Sequence, residues 1–519
     1  MPKIKQETAG KIGLFTAVMM IFGTLVGIGI FFKNLPVFNN NHGSPIGILL
    51  SWVVAIIMVM SLALSFCEVC TCKIVNKADG LGGWAEKFCG HKFGRYAKLG
   101  YSLIFYAVDA FAIMFFAGEG LMNCFASLGG EVGHINFGHL TTLYVFLAGG
   151  GLFALFIILN VVASKGMTRF SNVTGLIKFV PLIAVVVLGI TFGVLNNNAG
   201  LWTGHWYNAP TDYQVAPDIT GIIISLPSIL FAFEGYVVIG NIAGDMDKPN
   251  KNVPLSMIIA LIIVSSVYLV VTIGCMTAGT GNVYELMEIC FGQGTQLAKI
   301  FSNVLSAFIF ICIIGVLNAM SFSGMRAFQA SCEEGVLFKG KQLANAKPNT
   351  RLFAGGVWFS IMVGIWWVAT LIPSAILNTD QIVDGSSNIM IIAIYVIYSV
   401  ILICALVNRF TKRVEVRKLA IFPVTCVIGI LSCLFLIGYC GLYQFLAQPL
   451  IEKDAYVCSW GLFVESDFKL VYWQTIVCYW SMFAFMLASP LINDLFIKWF
   501  DKGSRQVLIW QNRKEDVLK

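Results

Sequence analysis

The sequence predicts an all-α polytopic membrane protein with twelve transmembrane helices. Three observations carry that prediction. Of 519 residues, 58% are hydrophobic and only 12% are charged, with a mean hydropathy of +0.82. A water-soluble core of that length would need far more charged surface. Between polar breaks lie twelve apolar runs, each long enough to cross roughly 30 Å of hydrocarbon. The loops between the runs alternate in Lys and Arg, as expected of a chain threaded back and forth through a membrane.

The runs fall near 13–38, 44–66, 97–122, 139–162, 170–195, 219–243, 254–278, 297–325, 352–374, 387–408, 418–440 and 471–496. The start, "MPKIKQETAGK", is basic, but the apolar run after it is too long for a signal peptide and lacks a small-residue cleavage site. The first span is therefore expected to be retained. Lys3, Lys5 and Lys11 precede span 1; Lys73, Lys77, Lys87, Lys92 and Arg95 follow span 2. Lys165 and Arg169, Lys248 and Lys251, Arg326 to Arg351, "NRFTKRVEVRK" and the tail from Lys498 to Lys519 continue the even-numbered series. The odd-numbered loops "NNNHG", "SLGGEVGHINFGH" and "NNNAGLWTGHWYNAPTDYQVAPD" hold no Lys or Arg. Of 34 basic residues only Lys33, Lys299, Lys453 and Lys469 fall on the odd side. The pattern places both termini in the cytoplasm, and one missed span would scramble it. The net charge of +7 then follows from topology and is no signature of nucleic-acid binding.

Fifteen cysteines are scattered, mostly within apolar runs, which argues against a disulfide framework. Cys67, Cys70 and Cys72 in "CEVCTC", with Cys89 and His91 in "FCGH", form one local group. Without a paired C-x-x-C knuckle, packing at a helix end is the preferred reading and no metal site is expected. Cys440 and Cys458 share the outer side, where a disulfide has no further support.

Two spans carry breaks at matching places. Span 1 contains "FGTLVGIGIFF", with Gly23, Gly27 and Gly29 close together; span 6 contains "FAFEGYVVIG", with Glu234 beside Gly235. They open two five-span blocks, 13–195 and 219–408, followed by two further spans over 418–496, with cytoplasmic ends at 1–12 and 497–519. Interrupted helices at corresponding positions of two halves point to inverted repeats around a midplane site. Unwinding frees backbone N–H and C=O groups, tolerable in a membrane only where they line a cavity or meet a ligand. Freed N–H groups attract an anion and freed carbonyls a cation, so a zwitterion suits both. Close helix packing through the literal GxxxG of Gly23 and Gly27 is the simpler account of span 1 alone. A carboxylate within the second break favours a site, because intramembrane charge is costly.

These residues resemble the amino acid–polyamine–organocation superfamily of permeases. "GTLVGIGIF" at 23–31 is similar to that family's glycine-rich break, with Ile28 replacing a small polar residue. "FAFEGY" at 231–236 with "GDMDKPNKNVP" at 244–254 resembles its span-6 break and following loop. "GLIKFVPLI" at 175–183 and "GMRAFQASCEEGVLFKG" at 324–340 match its span-5 and post-span-8 segments, and "SFCEVC" and "GLGGWAEKF" fit the stretch between spans 2 and 3. The likeness covers roughly residues 10–410 in order. Two positions depart: Val237 stands where an acid is frequent, and Phe338 where a proline is usual.

The resemblance implies a leucine-transporter-type fold, five plus five spans with broken helices 1 and 6. It implies secondary transport of an α-amino acid, coupled to protons or to exchange. The carboxylate would meet N–H groups around Gly27, Ile28 and Gly29. The ammonium would meet carbonyls from Gly23 through Thr24 to Leu25 and from Phe231 through Ala232 to Phe233. Phe231, Phe233 and Tyr236 would wall the side chain, with Glu234 and Gly235 in the break. Lys178 resembles the lysine that takes the place of sodium in related carriers, tying the first broken helix to span 5; snorkelling to the interface is its alternative. Asp109 and Glu119, ten residues apart in span 3, are intramembrane acids, Asp109 being the deeper and a candidate for coupling. Glu68 is expected to brace the cytoplasmic gate, and Arg326 to pair with Asp245 or Asp247. Whether Glu234 meets a substrate cation, a proton or Lys178 is open at this stage.

The alternative within transport is an antiporter for cationic amino acids or polyamines. Five His residues show no H-x-x-x-H or H-E-x-x-H spacing within a span, and no Walker motif occurs, which counts against a membrane enzyme and an ATP-driven pump. The implied partners are an amino acid, protons and membrane lipid, with no cofactor and no nucleic acid.

Overall fold

The computed structural model describes residues 12–72, 80–128, 140–195, 217–283, 285–292, 294–346, 352–379, 381–459, 462 and 469–501. The end segments 1–11 and 502–519, with their basic residues, and the loop over 196–216 lie outside the described residues. Among the described residues twelve helices are long and apolar enough to cross a membrane. They are Leu14–Phe32, Pro45–Val69, His91–Ala126, Thr141–Val162, Arg169–Leu195 and Ile219–Gly240, then Pro249–Ala278, Gln296–Glu333, Phe353–Leu377, Gln381–Thr411, Phe422–Glu452 and Tyr472–Phe500, here spans 1 to 12.

Helix starts follow local chemistry. Ser44 Oγ accepts from the Gly47 N–H at 3.3 Å ahead of Pro45. Asp218 accepts from Thr220 at 2.9 Å to open span 6, and Thr295 accepts from Ala298 at 3.1 Å to open span 8. The run predicted to 38 is three helical segments, because span 1 is interrupted after Leu25, its second half ends at Phe32, and Asn34–Asn40 forms a separate helix. Asn34 is held across the bundle, its amide donating to Gly281 O at 3.4 Å and its oxygen accepting from Thr272 at 3.2 Å. Span 11 runs past the predicted 440 as a π-helical stretch, Leu436–Ala447. A short hairpin, Val457–Ser459 against Lys469–Val471, pairs Cys458 with Leu470. Cys440 and Cys458 are both free thiols, and the Cys458 Sγ lies 3.5 Å from the Leu462 carbonyl.

Packing follows the two-block organisation. Span 1 packs on span 7 as span 6 packs on span 2; span 3 packs on span 4 as span 8 packs on span 9; span 5 packs on span 8 as span 10 packs on span 3. Each of these contacts recurs when spans 1–5 and spans 6–10 are exchanged in order. A block with an odd number of spans re-enters the membrane from the opposite face, so such a repeat is inverted. Spans 1 and 6 lie among spans 2, 3, 7, 8 and 10, with the interruptions deep inside.

Candidate functional site

The first break lies between Leu14–Leu25 and Ile28–Phe32, with Val26 and Gly27 outside helical geometry. A Cβ on Gly27 would come within 2.5 Å of a Val316 methyl, and one on Gly29 would collide with Ala232 of span 6. Glycine at 29 is therefore what lets the two interrupted spans touch. The second break follows Phe233. Glu234 is extended, and Gly235 sits at φ +114 in the left-handed region that favours glycine, before a 3₁₀ segment, Tyr236–Asp245. The charge and the helix-breaker are adjacent because one backbone turn serves both.

Much of the freed backbone already has partners. Lys178, fully buried in span 5, donates from Nζ to Gly23 O at 2.5 Å and Val26 O at 2.6 Å. This geometry rules out snorkelling and an ion pair with Glu234. Tyr268 of span 7, not singled out in the sequence, places its hydroxyl 2.7 Å from Leu25 O and 3.2 Å from Ala232 O. One phenol thus bridges both breaks.

Between the breaks is a cavity of about 20 Å³ lined by Thr24, Leu25, Gly29, Asp109, Ile113, Phe231, Ala232, Glu234, Val316 and Met320. That is room for about one water. Asp109 is 9% exposed and Glu234 8%. Glu234 Oε1 accepts from the Tyr398 hydroxyl of span 10 at 2.5 Å, while Oε2 has no hydrogen-bond partner among the described residues.

Of the predicted residues, Thr24, Leu25, Gly29, Phe231, Ala232, Glu234 and Asp109 converge on this cavity. Gly23 and Gly27 lie beside it on the Lys178 side; the Ile28 side chain is outside the described residues. Two members of the predicted aromatic wall are elsewhere. Phe233 packs on Trp52 and Tyr268, with ring centroids 6.2 and 5.2 Å away. Tyr236 is fully buried behind Gly235. Phe233 is two residues from Phe231 on an unbroken helix, about 200° around its axis, and so faces away from it, while Tyr236 lies beyond the turn at Gly235. Glu119 is buried within the bundle.

A basic residue counted with the odd loops proves to be part of the enclosure. Lys33, 0% exposed, forms an ion pair with Asp384 of span 10. It also donates to Ser387 Oγ at 2.9 Å and lies 4.7 Å from the centre of the Phe231 ring. It caps the cavity toward the end poor in Lys and Arg. At the basic end Glu68 accepts from Arg409 at 2.6 Å and from the Leu419 N–H at 2.7 Å, joining the ends of spans 2 and 10. Lys98 bonds Glu334 and Arg95 bonds Asp494, each at 2.6 Å. Arg326 stacks over Phe322 at 5.7 Å, and the Asp245 side chain lies outside the described residues. No His, Cys, Asp and Glu group able to hold a metal occurs among the described residues. Ion pairs between spans thus stand at both ends of the bundle, with two carboxylates and unwound backbone between them.

Comparisons with known proteins bear on the family and the fold. Residues 12–453 match the family model described as amino acid permease. The serine/threonine exchanger SteT of Bacillus subtilis is 23% identical over 82% of this chain and 90% of its own length. The b(0,+)-type amino acid transporter 1 of Mus musculus is 22% identical over 93% of this chain and 91% of its own length. In three dimensions the chain is similar to MhsT, solved in complex with L-phenylalanine, with a TM-score of 0.54, 14% identity and coverage of 80% of this chain and 98% of that one.

Proposed function

The chain belongs to the amino acid permease family of the amino acid–polyamine–organocation superfamily, and on that premise we propose that it moves an α-amino acid across the plasma membrane by alternating access. Movement is in exchange for a second solute or coupled to protons. The observation that carries this reading is the meeting of two interrupted spans at Gly29 and Ala232 beside a small cavity with buried carboxylates.

The substrate α-carboxylate takes N–H groups freed between Gly27 and Gly29. The α-ammonium takes carbonyl surface near Thr24, since the Gly23, Val26, Leu25 and Ala232 carbonyls already face Lys178 or Tyr268 and the Phe231 carbonyl accepts the Glu234 N–H. Opening one end requires separating Lys33 from Asp384; opening the other requires parting span 2 from span 10, where Glu68 meets Arg409, and span 3 from spans 8 and 12, where Lys98 meets Glu334 and Arg95 meets Asp494. Alternation between these two closures is what carries solute across. Lys178 fills a polar gap with a fixed ammonium, which disfavours a sodium ion there and leaves exchange or protons as the driving partner. An exchanger and an amino acid transporter among the relatives support that choice. The Lys and Arg distribution supports cytoplasmic termini and insertion in the cell membrane.

Reconstitution in liposomes with a panel of labelled amino acids tests the proposal, with and without a pH gradient and with sodium replaced. Saturable uptake of at least one α-amino acid, independent of sodium, is expected. Strict sodium dependence overturns the role given to Lys178.

A further inference from the structure

The lipid-facing surface of the bundle carries a hollow that takes no part in the central site. It has a volume of about 530 Å³ and lies between spans 4 and 9, with Met114 of span 3 at its floor. Spans 4 and 9 are Thr141–Val162 and Phe353–Leu377, so Gly151 and Gly364, both in the lining, stand midway through them. Along span 4 the hollow extends from Leu147 to Ile158, about 16 Å at 1.5 Å per residue and close to half of the roughly 30 Å of hydrocarbon. Leu147, Gly151 and Ile158 are exposed, so it opens toward lipid. The residues lining it carry no charge. The Trp367 indole N–H already donates to Phe146 O at 3.2 Å.

Glycines set its shape. A Cβ on Gly149 would meet Met114 O of span 3 at 2.2 Å, and one on Gly150 the Trp367 indole at 3.4 Å. Those two glycines serve contact between helices. Gly151 and Gly364 are different, since a Cβ on either would meet no neighbouring atom within 4 Å. Glycine weakens a helix relative to alanine, and what these two provide is space. Water does not suit that space, because it needs two or more polar partners. Apolar walls left uncovered forfeit dispersion contacts. A second helix, about 10–12 Å across with its side chains, does not enter, because spans 4 and 9 meet at Gly150 and Trp367. We propose that this trough binds one acyl chain of a membrane phospholipid as a fixed part of the folded protein. The chain lies along span 4 against Gly151 and Gly364 and covers Met114. Ile113, the preceding residue, lines the central cavity, so the chain braces span 3 from behind that cavity. Such a site requires only that the twelve spans lie in a bilayer, whatever solute is carried.

The test uses the full chain, purified in detergent and stripped of lipid, and titrated with phosphatidylcholine brominated at the middle of its acyl chains. Tryptophan fluorescence is the readout, because bromine quenches the indoles it touches. Quenching that saturates at a single phospholipid per chain is expected, and Trp367→Phe is expected to lose that saturable part. Gly151→Leu, whose side chain occupies the trough, is expected to raise the half-saturating concentration at least about tenfold with unchanged size-exclusion elution. Should Gly151→Leu fold poorly, Gly364→Leu makes the same test from the other wall. Quenching that rises without saturation, or that persists undiminished in both leucine variants, overturns the inference. So does displacement of the phospholipid by cholesterol at lower concentration, which gives the trough to a sterol, or cross-linking of Gly364→Cys between two chains in vesicles, which gives it to a second copy. None of these results bears on the permease reading.

Discussion

Replacing Lys178 by Met isolates the tie between span 5 and the first break. Met keeps the length and apolar stem but donates nothing. The ammonium donates at 2.5 Å to Gly23 O and 2.6 Å to Val26 O. Hydrogen bonds from a charged donor contribute about 1.5–3 kcal/mol each, so the pair holds the break with about 3–6 kcal/mol. Against this stands the desolvation of a buried ammonium, several kcal/mol, which the variant no longer bears. The two nearly cancel in global stability, and the thermal midpoint is expected to move by less than about 4 °C. They do not cancel locally. Two carbonyls are left buried and unpaired at about 1–3 kcal/mol each, and the backbone from Gly23 to Gly29 rearranges to cover them. A counterflow rate at least about a hundredfold lower is expected, since about 1.4 kcal/mol corresponds to a factor of ten. Size-exclusion behaviour stays that of the native protein. Lys178→Met protein exchanging at the wild-type rate would refute the anchoring argument, because a merely snorkelling lysine tolerates Met without such loss.

Three other substitutions probe the closures and the breaks. Lys33→Met removes the partner of Asp384 under a nearly sealed surface, disfavouring that closure by about 3–5 kcal/mol. Maleimide labelling of Ser387→Cys from that side is expected to quicken at least about tenfold in its presence, and unchanged labelling removes Lys33 from the gate. Tyr268→Phe deletes the hydroxyl that faces Leu25 O and Ala232 O, exposing a buried acceptor at about 1–3 kcal/mol. Substrate competition assays are expected to show binding weakened about tenfold, and an undiminished affinity contradicts the bridging role. Gly235→Ala has room for its methyl, with Leu25 Cδ2 the nearest atom at 3.6 Å, but must hold φ +114 at a strain of about 1–3 kcal/mol. A lowered thermal midpoint together with slowed uptake is expected, whereas wild-type values for both show that the turn tolerates a side chain.

The span map was legible because two independent signals, apolar length and Lys/Arg alternation, agree along the whole chain. Both breaks were legible as glycines beside a misplaced charge, and Asp109 and Glu234 stood out as acids inside apolar runs. Their convergence on one cavity was not, since it depends on spans 3 and 6 packing at a particular height. Lys33 was hidden for a different reason. At the end of an apolar run it reads as a loop cation, and its partner Asp384 lies 351 residues away. Tyr268 carries no signal at all, because a tyrosine in an apolar run looks the same whether or not its hydroxyl meets a freed carbonyl. Phe233 and Tyr236 were given to the wall by the resemblance alone, whereas Phe233 lies about 200° around an intact helix from Phe231 and Tyr236 follows the turn at Gly235.

The central claim is that substrate sits where the two broken spans meet, and Gly29→Leu tests it most directly. A side chain there has no space, since even a Cβ would collide with Ala232. Counterflow of labelled amino acid into liposomes is the measurement, with wild-type and variant matched for folded protein. Uptake by the wild type and none above empty liposomes for Gly29→Leu is the predicted result; wild-type uptake by Gly29→Leu would contradict the account.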